Sequence, residues 1–174
     1  MDLQLKGKKI LFSTVPGDGH FNPLTGLAAY LKKSGCDVRW YVSSIFSSKL
    51  KNLDIPHYPF DKALDIYGQN LKEVFPEREK ITDVMAKLEF DMTIVGDCAP
   101  QYLEDISTIY ESFKFDIMIS DCFFSAIPLV KHILKVPVIA IGVLPLCENS
   151  IDLAPYGMGL MLPKTKINAR SMQI

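Results

Sequence analysis

Two side chains in this 174-residue sequence have a setting suited to moving a proton. His20 lies in Val15-Pro16-Gly17-Asp18-Gly19-His20-Phe21-Asn22-Pro23, a loop with two glycines. An imidazole within hydrogen-bond reach of a hydroxyl can accept its proton as the oxygen attacks. Asp121 closes the apolar run Phe115-Asp116-Ile117-Met118-Ile119-Ser120-Asp121. A carboxylate beside the imidazole would orient the ring and stabilise the imidazolium that forms, as in hydrolase triads. Asp121 also reads as a cap for the helix carrying Ala126 and Leu129, and one side chain can do both. Asp116 begins the same run at its far end and reads as structural. His57 sits between two prolines and His132 outside an apolar helical stripe, so both read as ordinary surface residues.

The elements around His20 follow from local pattern. Ile10-Leu11-Phe12 is a short apolar run that reads as a buried strand. Leu24, Leu27, Ala28 and Leu31 recur at helical spacing. Asn22 is a suitable N-cap and Pro23 a suitable first helical residue. Lys32 and Lys33 fall in the last turn, and Gly35 follows as a stop. The loop therefore brings a histidine to the positive, anion-attracting end of a helix. A dinucleotide fingerprint would need a third glycine where Asn22 stands, and an acidic residue at the end of the second strand, where Tyr41-Val42-Ser43-Ser44 is found. A Walker loop fails for want of Gly-Lys-Ser or Gly-Lys-Thr. What remains is a glycine loop that frees space around a histidine.

Strands and helices alternate along the rest of the chain. Residues 38–42 read as a second strand, 44–53 as a short helix and 55–58 as a third strand. Residues 60–78 read as a long loop with helical turns, a length that is usually functional. Ile81, Val84, Leu88, Met92 and Val95 give one helical stripe, and Leu103, Ile106, Tyr110 and Phe113 a second. A strand over 115–121, a stripe of Ala126, Leu129, Val130, Ile133 and Leu134, and a strand over 136–142 complete the pattern. This predicts an α/β fold with a doubly wound, parallel, Rossmann-like sheet. In strand order 3-2-1-4-5 the first strand neighbours the one ending at Asp121. The loops of His20 and Asp121 would then flank one crevice at the carboxyl edge.

Composition narrows the function class. Nineteen Lys and Arg nearly balance 20 Asp and Glu, which gives no sign of a nucleic-acid surface. No apolar stretch reaches the roughly 20 residues of a membrane span. Four scattered cysteines suggest neither a zinc site nor a disulfide framework, and suit the cytoplasm. No Asp-x-Asp occurs, so no metal clamp is expected. Beyond residue 143 the sheet pattern ends, and the chain is expected to stop short of a complete protein.

The run Gly19-His20-Phe21-Asn22-Pro23, just after the first strand, resembles the amino-terminal domain of nucleotide-sugar-dependent glycosyltransferases with the GT-B fold. The macrolide-glycosyltransferase-like branch of the UDP-glycosyltransferases is the most similar. Asp152-Leu153-Ala154-Pro155-Tyr156-Gly157-Met158-Gly159-Leu160 resembles a loop of that branch. The resemblance implies that residues 1–174 are an acceptor-binding Rossmann-like domain whose donor-binding carboxy-terminal partner is absent. It implies an inverting transfer of sugar from a nucleotide donor, uridine-linked, to a hydroxyl on a small apolar acceptor. His20 would be the base and Asp121 its partner. The nucleotide sugar is a co-substrate, and no further cofactor or metal is implied.

Gly19, Phe21 and Asn22 belong to the matching motif and are carried as substrate-binding positions. Phe21 has no staple partner, since Gly26 lacks a side chain, and is expected to face the crevice. Phe123 and Phe124 are candidate walls of the acceptor pocket, with core packing the alternative. Val143 and Pro145 leave the last strand toward the same edge and are further candidates. The isolated chain is expected not to turn over. A non-catalytic Rossmann-type binding module for apolar small molecules is the competing reading; an epimerase or dehydrogenase domain is a third.

Overall fold

Five short strands form one parallel sheet in the order β3-β2-β1-β4-β5. They are β1 (Lys9–Ser13), β2 (Asp37–Tyr41), β3 (His57–Tyr58), β4 (Ile117–Asp121) and β5 (Val138–Ile141). The computed structural model describes residues 5–65 and 71–144. The sheet and its helices lie in a unit spanning Met1–Ile141; of a second unit, Gly142–Ile174, residues 142–144 are described. The strand order is the one the alternating pattern predicts, with β1 between β2 and β4. Ser13 pairs with Tyr41 on one side and with Ser120 on the other. The carboxyl ends of the three central strands are therefore level, and Asp121 stands one residue beyond that line.

Burial on both faces explains the apolar strands. Side chains alternate between faces along each strand. Phe12 and Trp40, with ring centroids 5.0 Å apart, pack beneath the first helix, α1 (Asp18–Lys33). Leu11, Tyr41 and Met118 join a second cluster with Tyr102, Ile106 and Ile109 of α5 (Ala99–Ser112). Between them in sequence come α2 (Ser47–Asn52), preceded by a 3-10 turn over Ser44–Phe46, then α3 (Leu71–Val74), a 3-10 turn over Pro76–Lys80, and α4 (Val84–Asp97).

Helix α1 begins earlier than the spacing predicts. Its N-cap is the extended Gly17, and Asp18 is the first helical residue. The amides of His20 and Phe21 both donate to the Gly17 carbonyl, at 3.0 and 2.9 Å. Asn22 is thus an exposed helical residue rather than a cap, and Pro23 lies inside the helix. Pro23 has no N–H to offer the Gly19 carbonyl four residues back, so α1 forgoes one backbone bond in its second turn. The earlier start puts Phe21, Leu24, Ala28 and Leu31 on one buried stripe. The predicted end holds: Lys32 and Lys33 are in the last turn, and Gly35 has a φ of +91°, which glycine adopts without strain.

Helix α4 departs further from expectation. Its predicted apolar stripe does not enter the core, and no residue of α4 is buried. Val84 is 77% exposed, with Met85, Leu88 and Met92 exposed beside it. Ile94 packs against the core and the Ser125 hydroxyl donates to the Val95 carbonyl at 2.7 Å, and local contacts hold the rest of the helix. Asp83 caps it by accepting the Ala86 amide at 2.8 Å, and Arg78 makes a paired contact with Asp91 at 2.5 and 2.7 Å. The helix after β4 spans its stripe but changes its winding and buries little of it. It comprises α6 (Ile127–Leu129) continued by a π-helix over Val130–Leu134, and only Ala126 and Val130 of the stripe are buried. Among the described residues, no helix is long and apolar enough to cross a membrane.

Candidate functional site

Asp121 ends β4 with its side chain fully buried, while that of His20 is 25% exposed. His20 sits in the first turn of α1, and its Nδ1 lies 3.0 Å from Asp121 Oδ1. The same oxygen accepts the Phe123 amide at 2.8 Å, and Oδ2 accepts the Val15 amide at 2.8 Å. The carboxylate therefore fastens the loop leaving β1 and the loop leaving β4 at once. An ionised carboxylate only accepts hydrogen bonds, so the imidazole donates from Nδ1. The Nε2 lone pair then remains, and no other described residue hydrogen-bonds to it. That is the tautomer a general base requires.

Gly17 makes room for the ring. A Cβ at this position would stand 3.3 Å from His20 Cδ2, closer than ordinary van der Waals contact. Phe123 meets the His20 ring edge-on, with centroids 5.5 Å apart, so it does border the imidazole. Gly19 is exposed, with open space where a side chain would be. Asn22 is exposed, and its Oδ1 accepts from Lys49 Nζ at 3.3 Å.

Two expected pocket residues are core residues. Phe21 is fully buried, packed on Trp40 at 4.5 Å and stacked on Phe46 at 4.3 Å. With the helix starting at Asp18, Phe21 falls on the inward stripe, which a start at Pro23 would not have required. Phe124 is buried against Tyr102, with centroids 4.7 Å apart. In the turn after β4, Phe123 goes to the histidine and Phe124 to the interior. Val143 is partly buried, and Pro145 lies outside the described residues.

Asp116 is structural, as its place at the start of the strand suggests. It accepts the Lys9 amide at 2.8 Å, and Lys8 lies 3.9 Å away. Asp121 does not cap α6, whose N-cap is Ala126; its capping is confined to Phe123. His57 does more than decorate the surface, since its ring bridges the Val42 carbonyl at 2.8 Å and Ser47 Oγ at 3.1 Å.

Sequence reasoning missed Asp105. It is 4% exposed, and its carboxylate accepts the Tyr41 hydroxyl at 2.6 Å and the amides of Asp61, Lys62 and Ala63 at 3.0, 2.8 and 3.2 Å. Burial, and then the Asp105 carboxylate, push the Tyr41 hydroxyl well above its ordinary pKa, so it stays protonated and donates. The signal was available: Asp105 shares the inward face of α5 with Tyr102, Ile106 and Ile109, where an acid is out of place.

No protein-family model matches the chain. Among curated proteins, 4'-demethylrebeccamycin synthase of Lentzea aerocolonigenes is 30% identical over 154 residues, which is 88% of this chain and 37% of that protein. UDP-glycosyltransferase 2 of Phaeomoniella chlamydospora is 23% identical over 159 residues, 87% of this chain and 35% of that protein. The chain thus spans little more than a third of the length of these relatives. Among solved structures, the glycotransferase of kitacinnamycin superposes with a TM-score of 0.61 at 20% identity, over 79% of this chain and 31% of that one. A glycosyltransferase of Streptomyces sp. SF2575, complexed with thymidine diphosphate, gives a TM-score of 0.60 at 19% identity, over 76% of this chain and 38% of that one.

The fold is therefore one Rossmann-like half of the GT-B architecture. In sequence and fold the chain is similar to the amino-terminal part of GT-B glycosyltransferases, with UDP-glycosyltransferases among its relatives.

Proposed function

We propose that the chain is the acceptor-binding half of an inverting glycosyltransferase, with His20 as general base and Asp121 as its partner. The observation that carries this is the 3.0 Å contact between a part-exposed imidazole and a buried carboxylate that also holds two backbone amides. The acceptor hydroxyl binds at Nε2, loses its proton there and attacks the anomeric carbon from the face opposite the leaving diphosphate. Asp121 holds the ring in place and balances the charge that forms on it. Phe123, edge-on to the ring, supplies an apolar wall, which favours a small apolar acceptor.

The donor is a pyrimidine nucleoside diphosphate sugar. Uridine is the nucleoside implied by the names of two curated relatives, and thymidine diphosphate is bound in one structural neighbour. The first turn of α1 lies beside His20 and favours negative charge, so it contributes to holding the diphosphate without a metal. Most donor contacts would come from a second Rossmann-like half, and the chain alone would not turn over. The free thiols of Cys36, Cys98 and Cys122 suit a reducing cytoplasm.

The test is transfer itself. The protein complete with its donor-binding half is given an α-linked uridine or thymidine diphosphate sugar and a set of small apolar alcohols and phenols. Nucleoside diphosphate release and the anomeric configuration of the product are read by chromatography and NMR. The proposal expects a β-linked product. Acceptor binding without any transfer would favour a binding module instead, and an α-linked product would contradict inversion.

A further inference from the structure

Asp105 belongs to no part of the base-and-partner scheme, yet it repeats the construction at Asp121. Each is a buried carboxylate that gathers backbone amides at the carboxyl edge of the sheet. Asp121 takes Val15 and Phe123; Asp105 takes three consecutive amides, those of Asp61, Lys62 and Ala63. The fourth donor to Asp105 is Tyr41, the last residue of β2 and the register partner of Ser13. Tyr41 is thus one strand over from β1 and two from β4, roughly 10 Å at ordinary strand spacing.

No cation faces Asp105 in these contacts. Its charge is met by amide dipoles and one phenol, an arrangement that fixes backbone as a nest fixes an anion. A hydrophobic residue in its place would fill the same space without the desolvation cost of a buried charge. What such a residue could not do is hold three successive amides. The segment it holds is secured at its far end as well, where Asp65 accepts the Ser44 amide at 3.0 Å and its hydroxyl at 3.1 Å. Ala63 packs in the cluster that contains Val15 and Phe124, which flank the dyad's two loops in sequence.

We infer that Asp105 is a positioning residue for acceptor recognition, fixing residues 61–65 as a wall at the sheet edge that carries the dyad. This rests on the proposed acceptor site. Asp105 touches no reacting atom; it acts through the backbone of 61–63.

Asp105→Asn keeps the shape and removes half of the acceptor capacity; Tyr41→Phe removes one donor and keeps the charge. Hydrogen exchange in the 174-residue chain gives the first readout. In Asp105→Asn the amides of residues 61–63 exchange at least about tenfold faster, while those of β1 and β4 are unchanged. Tyr41→Phe gives a smaller acceleration at the same amides, and it decides the matter should the asparagine variant not fold. The second readout is steady-state transfer by the complete protein, with uridine diphosphate glucose and a small apolar phenol. KM for the phenol rises about tenfold, with kcat and the donor KM within about threefold. Unchanged exchange at 61–63 in the folded variants overturns the positioning role, and so does a fall in kcat with the acceptor KM unmoved. If the wild-type protein transfers no sugar to any acceptor, the proposed function fails, and the exchange measurement still decides whether Asp105 holds this segment.

Discussion

His20 and Asp121, 101 positions apart in the chain, meet at 3.0 Å between Nδ1 and Oδ1. The parallel sheet creates that meeting. β1 and β4 are neighbours, their ends are level at Ser13 and Ser120, and each side chain leaves the same edge. Everything proposed for the chemistry follows from a carboxylate that accepts the Nδ1–H hydrogen bond and leaves Nε2 for an acceptor.

Replacing Asp121 separates its two tasks. In Asp121→Asn the new NH2 either faces the Val15 amide, donor against donor, or donates to His20 Nδ1 and forces the proton onto Nε2. Transfer is expected to fall by at least about tenfold, with the acceptor KM little changed. In Asp121→Ala the Val15 and Phe123 amides lose their partner, and urea unfolding should show a loss of about 2–4 kcal/mol. A variant with full stability would mean that water replaces the carboxylate at both amides.

Gly17→Ala tests the fit of the ring. The added methyl stands 3.3 Å from His20 Cδ2, and the backbone there is extended, which alanine accepts. Stability should drop by no more than about 1 kcal/mol, the usual penalty of alanine at an N-cap. The expected effect is on kcat, lowered severalfold as the imidazole shifts, and a comparison of kcat with the thermal midpoint would show it.

Phe21→Ala is a core truncation and should behave as one. The ring is fully buried between Trp40 and Phe46, so the variant should lose about 3–5 kcal/mol in a urea melt. Phe123→Ala removes the ring beside His20 instead. It should raise the acceptor KM and cost far less stability. The opposite pattern in the two variants would reverse the assignment of wall and core.

The cysteines should differ in reactivity. Burial raises the thiol pKa of Cys36 and of Cys98, whereas Cys122 is exposed. A raised thiol pKa leaves less thiolate at a given pH, and only thiolate is alkylated. At pH 8 iodoacetamide should therefore modify Cys122 well before Cys36 or Cys98, as peptide mapping over a time course would record.

Much of this was legible in the sequence because it depends on local pattern. The apolar runs at 10–12 and 115–121 gave strands, the alternation gave the strand order, and that order alone brought the loops of His20 and Asp121 together. The errors came where tertiary contacts override local preference. Asn22-Pro23 has the chemistry of a helix start, yet the extended Gly17 and the burial of Phe21 begin the helix at Asp18. The stripe on α4 has the period of a core helix, but its Val84, Leu88 and Met92 are exposed. At Asp105 the acid on an inward helix face was visible, but its partners were not: they are amides 42 to 44 positions away and a tyrosine on β2. Backbone amides leave no mark in a sequence.

The most direct test of the dyad is His20→Ala in the protein joined to its proposed donor-binding half, with single-turnover transfer measured at saturating donor and acceptor beside acceptor binding by calorimetry. A general base predicts a rate lower by about a hundredfold or more, with acceptor affinity within about threefold of the wild type. A variant that transfers sugar at the wild-type rate would contradict the role given to His20.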